Sequence, residues 1–121
     1  FIPAKGEVLH PDFIKGLNTV AFAGIASPDS FRNTLTGVGA KVLYFRRFKD
    51  HHYYREEEIL SLLKAKKRIG ADILITTEKD WVKIKDWCIN FHDFAYLSVK
   101  FSITSNKGDF FRIVKSRIGE P

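Results

Sequence analysis

Thr19-Val20-Ala21-Phe22-Ala23-Gly24-Ile25-Ala26-Ser27-Pro28 is the stretch whose reading decides the fold. Thr19 to Ala23 is a short, mostly apolar run that reads as a buried strand. Gly24 follows at once, and Ser27 stands where a helix N-cap belongs, with Pro28 in the first helical position. Asp29 suits the positive end of that helix, and Phe31 and Leu35 lie four apart on one face before Gly37 or Gly39 ends it. The unit is strand, tight turn, helix.

Working outward, the same unit recurs. Lys41 to Phe48 reads as a second strand, centred on Val42, Leu43, Tyr44 and Phe45. A polar loop leads to the clearest helix, Arg55 to Ile69, closed by Gly70. Its first turns hold Glu56, Glu57 and Glu58 and its last hold Lys66, Lys67 and Arg68, so both ends complement the macrodipole. Asp72 to Thr76 is a third strand, running into Thr77-Glu78-Lys79-Asp80 and a short helix through Trp81, Val82, Ile84 and Lys85. Phe94 to Tyr96 begins another strand, and from Leu97 to Thr104 apolar and polar residues alternate, which marks a half-exposed strand and fits an antiparallel one. Asn106 or Ser105 then caps an expected last helix with Phe111, Val114 and Ile118 on one face. Residues 1–17, with Pro3, Gly6, Pro11 and Gly16, read as a lead-in or linker, and 18–121 as one α/β lobe.

Such alternation predicts an α/β, three-layer fold: a mainly parallel sheet of about 4–5 strands with helices on both faces and the last strand open to an antiparallel placement. The 121 residues suffice for one domain, and 45% hydrophobic with 28% charged residues argues against global disorder. A single cysteine, Cys88, leaves no intrachain disulfide and no cysteine-based zinc site. Its aromatic surroundings suit an inert buried thiol. No apolar stretch has membrane-spanning length, and no signal-peptide pattern opens the chain. The chain contains no methionine, which suggests a piece of a longer protein. A net charge of +6 favours anionic partners without choosing among them.

In a parallel sheet the strand-to-helix loops emerge together at the carboxyl edge, where ligands bind. Three loops meet there: Gly24 to Pro28, Lys49 to Tyr54, and Thr76 to Asp80. The middle one, within Phe48-Lys49-Asp50-His51-His52-Tyr53-Tyr54, holds a carboxylate beside two imidazoles, the pairing that suits acid–base work near neutral pH. The others offer a helix N-terminus at Ser27, the Thr77 hydroxyl, and Lys79 between two carboxylates, the inventory phosphate chemistry uses. Lys79 is the candidate phosphate or interlobe contact, or else it braces its own loop through Glu78 or Asp80. Asp50, His51 and His52 with His10 or His92 make only a weak metal signature, and no metal site is assigned. Gly-Lys occurs nowhere, so there is no Walker A cradle, and Gly37-Val38-Gly39 ends a helix instead of opening one. By itself the chain lacks the parts of a complete kinase or hydrolase.

Three segments in register carry a family resemblance: Ala21-Phe22-Ala23-Gly24-Ile25-Ala26-Ser27-Pro28 with Phe31 and Leu35, then Phe48-Lys49-Asp50-His51-His52-Tyr53, then Thr76-Thr77-Glu78-Lys79-Asp80 with Val82-Lys83. Their order and spacing resemble the carboxyl-terminal half of the tetraacyldisaccharide 4'-kinases, the lipid A 4'-kinases of Gram-negative bacteria. The resemblance implies transfer of the γ-phosphate of ATP, with Mg²⁺, to the 4'-hydroxyl of tetraacyldisaccharide 1-phosphate. It implies an amino-terminal lobe that carries the P-loop, the main catalytic aspartate and the membrane-contacting element. That lobe also binds most of the ATP and Mg²⁺, so this chain is expected to be inactive alone. The family's functional histidine falls on His51, with Asp50 before it. His52 and Tyr53 are the accompanying substrate-contact candidates, and Ser27, Thr77 and Lys79 the cofactor-side ones. Lys49 departs from the family's usual proline, which leaves the loop less rigid. The implied setting is the cytoplasmic face of the inner membrane, held by peripheral contact with anionic lipid, with no nucleic acid partner.

Two other readings predict different behaviour. A non-catalytic basic α/β module for nucleotide or nucleic acid predicts steeply salt-dependent binding to generic DNA or RNA, yet no recognition motif accompanies the basic residues. A receiver-like interaction domain needs an acidic pocket at the strand ends, whereas Asp29, Asp50 and Asp80 are scattered among basic residues.

Overall fold

Strand β1 (Gly6–Leu9) and a 3-10 turn (Pro11–Ile14) lead into β2 (Asn18–Ala23), α1 (Pro28–Val38), β3 (Lys41–Arg47) and α2 (Glu56–Ile69). Then come β4 (Ile73–Thr77), α3 (Glu78–Cys88), β5 (Phe94–Phe101) and β6 (Asp109–Ser116). This computed structural model describes residues 6–9, 11–88, 94–101 and 109–116. The strands form one six-stranded sheet in the order β1-β6-β5-β4-β2-β3. β3, β2, β4 and β5 run parallel, while β6 is antiparallel to β5 and β1 antiparallel to β6.

Local chemistry sets the helix limits. Pro28 opens α1, and Gly39, at φ 110°, closes it by donating its N–H to the Leu35 and Thr36 carbonyls. Gly70, at φ 81°, does the same for α2 with the carbonyls of Lys66 and Lys67. Both glycines take the left-handed conformation that ends helices at little steric cost.

Side chains alternate across the parallel strands, so each strand feeds two cores. Val20 and Phe22 of β2, Leu74 of β4, and Phe94 and Tyr96 of β5 pack with Ile59 and Leu62 of α2 and Trp81 and Ile84 of α3. Ala21, Ala23, Ile73, Ile75, Ala95 and Leu97 face the other way, against Phe31 and Leu35 of α1 and Ile14 of the 3-10 turn. The helices therefore cover both faces. Three alanines beneath α1 let that helix lie close, while the layer under α2 and α3 is filled by rings: Phe22 packs edge-on to Phe48, Tyr54 and Phe94. The fold class read from the sequence stands.

One reading is refined and one changes. The segment left open to an antiparallel placement forms β5, parallel to β4 over residues 94–97 and antiparallel to β6 over residues 95–101, with residues 94–97 buried. Its later half extends past β4 and pairs with β6 alone. The helix expected over residues 106–118 is corrected to β6, paired with β5 from Asp109 to Lys115. Phe110, Phe111, Ile113 and Val114 are aromatic or β-branched, and pairing with a neighbouring strand overrides a three-residue helical spacing. Ile118 lies outside the described residues. Within the expected lead-in, Gly6 to Leu9 adds an edge strand to β6.

Candidate functional site

From β2 the chain crosses through α1 to β3, then returns over β2 through α2 to β4 and continues through α3 to β5. The direction of travel reverses between β2 and β4, the place where open α/β sheets bind ligands. The three loops expected at the carboxyl edge do meet there. Phe48 N–H donates to the Ala23 carbonyl at 2.9 Å and His51 N–H to the Gly24 carbonyl at 3.2 Å. The third tie is Asp80, a fully buried carboxylate on the first turn of α3. It accepts the Gly24 N–H at 3.2 Å to each oxygen, the Tyr54 hydroxyl at 2.8 Å and the Thr77 hydroxyl at 2.6 Å. One carboxylate thus joins a residue from each loop.

Two hollows flank this knot. The first, about 350 Å³, lies between α1 and the β4–α3 corner and includes Ile25, Ser27, Phe31, Thr77, Lys79 and Leu97 in its walls. Ser27 occupies the N-cap position of α1, but its side chain makes no capping bond, so the hydroxyl stays exposed at the mouth. The second, about 420 Å³, is lined by His51, His52, Tyr53, Tyr54 and Lys83. Thr77 and Tyr54 share Asp80, so the knot stands between the two hollows, and Lys79 and Lys83, one helical turn apart, serve one each.

His51 is the outlier of the second hollow. Its φ of 61° makes it the one non-glycine among the described residues in the left-handed region, a conformation that costs energy and clusters at functional sites. It is the third residue of a turn closed by His52 N–H to the Lys49 carbonyl at 3.0 Å, the position where a type II turn calls for positive φ. The side chain is 84% exposed, and its Nε2 stands 3.7 Å from Asp50 Oδ2. That is close enough for charge to act and too long for a hydrogen bond. Tyr53, at 92% exposure, projects beside it. His52 differs: its Nε2 meets Glu58 at 3.0 and 3.2 Å and its ring stacks on Phe48 at 4.6 Å.

The structure therefore brings His51, His52 and Tyr53 to one hollow, with Asp50 beside His51, and Ser27, Thr77 and Lys79 to the other, on one edge of the sheet. The corner that holds Lys79 is tied by its neighbours: Asp80 oxygens serve Gly24, Tyr54 and Thr77, and Glu78 accepts the Ser98 hydroxyl at 3.0 Å. Sequence reasoning missed Asp80 and Tyr54 as the knot. A local signal existed in Thr77-x-x-Asp80, the spacing of a capping box, and Asp80 N–H does donate to the Thr77 hydroxyl at 3.1 Å. Burial pushes the Tyr54 phenol well above its ordinary value, reinforced by the charge and hydrogen bond of Asp80 and by the charge of Glu58. Burial works to raise Glu58 too, but the His52 hydrogen bond and the Arg55 backbone N–H outweigh it and hold that carboxyl below its usual range. His10 and His92 lie outside the described residues, as does the Cys88 side chain. Among the described residues no group of three histidine, cysteine or acidic side chains is placed to hold a metal.

Comparison with known proteins agrees with the motif reading. The family model described as tetraacyldisaccharide-1-P 4'-kinase matches residues 4–119. Curated relatives with the name tetraacyldisaccharide 4'-kinase include one from Methylobacterium radiotolerans, 42% identical over 69% of this chain and 26% of its own length. Another, from Bdellovibrio bacteriovorus, is 33% identical over 90% of this chain and 32% of its own length. A third, from Geobacter metallireducens, is 48% identical over 57% of this chain and 20% of its own length. This chain thus spans from a fifth to a third of the length of these relatives. No solved structure gives a match. With its whole described fold inside the matched span, the chain belongs to the tetraacyldisaccharide-1-P 4'-kinase family.

Proposed function

We propose that this chain is the carboxyl-terminal lobe of an ATP-dependent kinase that phosphorylates the 4'-hydroxyl of tetraacyldisaccharide 1-phosphate in lipid A biosynthesis, and that it needs an amino-terminal P-loop lobe to act. In the reaction the 4'-oxygen bonds to the γ-phosphorus, the bond from that phosphorus to the β,γ-bridging oxygen breaks, and the hydroxyl proton must leave. His51, with Asp50 beside it, assists a carboxylate of the other lobe in removing that proton. Tyr53 contacts the lipid sugar. The observation that carries this reading is the His51 ring, held out from the sheet edge by a strained turn yet almost bare of protein contacts. An acid–base group with one open side needs a second wall to orient it and exclude water, which a closing lobe supplies.

The residues around the first hollow fit one flank of ATP: Lys79 for a phosphate, the Ser27 and Thr77 hydroxyls for polar edges, and Ile25, Phe31 and Leu97 for an apolar surface. They do not fit Mg²⁺, since no suitable ligand set gathers among the described residues and Asp80 already holds three donors. The metal falls to the other lobe in this reading. No described helix is long and apolar enough to cross a membrane. The net charge of +6 suits peripheral contact with anionic lipid at the cytoplasmic face of the inner membrane.

The test is His51→Ala in the full-length enzyme, assayed with ATP and tetraacyldisaccharide 1-phosphate. Loss of acid–base assistance lowers kcat by about 100-fold or more. Turnover at the wild-type rate would remove His51 from the mechanism.

A further inference from the structure

The two adjacent histidines have opposite environments, and the contrast assigns them different work. His51 touches little. His52 is 24% exposed at its side chain and is gripped from several directions. Phe48 stacks on its ring, with the Arg46 guanidinium 4.6 Å from the Phe48 ring centre, and Tyr54 packs edge-on at 4.8 Å. Glu58 holds Nε2 while accepting the Arg55 N–H at 2.9 Å in the first turn of α2. Lys83 of α3 donates to the His52 carbonyl at 3.3 Å. Because an ionised carboxylate only accepts hydrogen bonds, the His52 Nε2 carries a proton and donates it.

His52 also closes the turn that holds His51 at positive φ. Such a conformation persists only where its surroundings over-determine it. The strand side of the turn is fixed by the Phe48 and His51 amides on β2 and Gly24. Fixation on the other side comes from His52 and, through it, from Glu58 and Lys83. Resting on the reading of His51 as the acid–base group, we infer that Glu58 and His52 are positioning residues. They set the direction of the His51 ring through the turn and do not touch the reacting atoms.

The experiment uses the full-length kinase, with rates normalised to folded protein by circular dichroism. Glu58→Ala and His52→Ala each lower kcat by about 10- to 100-fold, the cost of a misplaced group, while KM for ATP stays within about twofold. Glu58→Gln keeps an acceptor for both the His52 N–H and the Arg55 N–H, and it restores kcat to within about threefold of wild type. The double variant Glu58→Ala/His52→Ala falls no further than the worse single, because both act through one contact. A role confined to stability would lower the melting temperature of Glu58→Ala and His52→Ala with kcat intact, and that result overturns the inference. So do multiplicative losses in the double variant. If His51→Ala itself turns over at the wild-type rate, the underlying reading fails and the inference with it. If His51→Ala is inactive while Glu58→Ala keeps its kcat, the inference alone fails.

Discussion

Replacing Asp80 with alanine tests whether one carboxylate holds the three loops together. In the wild type it accepts the Gly24 amide, the Tyr54 phenol and the Thr77 hydroxyl at distances from 2.6 to 3.2 Å, with no exposure to solvent. Hydrogen bonds to a charged group contribute about 1.5–3 kcal/mol each, and a buried donor left unpaired costs about 1–3 kcal/mol. Removing a buried charge recovers its desolvation penalty, so the three losses do not simply add. The expected net destabilisation is about 3–5 kcal/mol, a fifth or more of a typical domain's stability of about 5–15 kcal/mol. Equilibrium urea unfolding should show it as a lower midpoint with unchanged slope. Tyr54→Phe removes one donor and should cost about 1–3 kcal/mol, with a double-mutant coupling to Asp80→Ala of about 0.5–3 kcal/mol. A loss below about 1 kcal/mol for Asp80→Ala, or no coupling to Tyr54, would refute the idea that this carboxylate is the knot.

Gly24 faces the same knot from β2: a Cβ there would lie 2.9 Å from Tyr54 Oη, 3.1 Å from the Lys49 carbonyl and 3.3 Å from Asp80 Oδ1. Gly24→Ala should therefore cost about 1–3 kcal/mol, while Gly37→Ala, with open space around it in α1, should stabilise by about 0.5–1 kcal/mol, both read from urea midpoints. The buried phenols predict an alkaline limit. Tyr54 is raised by burial and Asp80, and Tyr96 is pushed up to about 12 by burial and the charge of Glu78, each from an ordinary value of 10.0. Raised folded values mean that their contribution is complete below pH 10.0 and is lost as pH climbs past it. Unfolding free energy should fall by about 1.4 kcal/mol per pH unit for each phenol. Tyr54→Phe should halve that slope between pH 10.0 and about 12, and a slope left unchanged by that substitution would contradict it.

The parts legible in the sequence are those decided by neighbours along the chain. The limits of α1 and α2 follow from Pro28, Gly39 and Gly70 and from charges placed at helix ends, all within a few residues of the bonds they make. The parallel core followed from strand-to-helix alternation, and that alternation also located the loops. What stayed hidden depends on distant partners. Asp80 finds Gly24 56 residues away and Tyr54 26 away, so its own helix shows only half of its role. The β6 segment offers a helical spacing at Phe111 and Val114 beside a strand-favouring composition, and the choice rests with β5. His51 and His52 look equivalent in the sequence. Only the fold places Glu58, six residues on, against one and leaves the other bare.

That asymmetry has an energetic logic. Holding a non-glycine residue at positive φ costs about 1–3 kcal/mol, and a lone turn would relax to escape it. A partly buried hydrogen bond from the His52 ring to an ionised Glu58 contributes about 1.5–3 kcal/mol, and stacking on Phe48 about 0.5–1.5 kcal/mol more. The brace is therefore large enough to offset the strain without any help from His51 itself. The exposed ring can then stay free of bonds that a substrate would have to break. A reactive imidazole fixed by its own hydrogen bonds would be rigid but occupied; one fixed through its neighbour is both oriented and available.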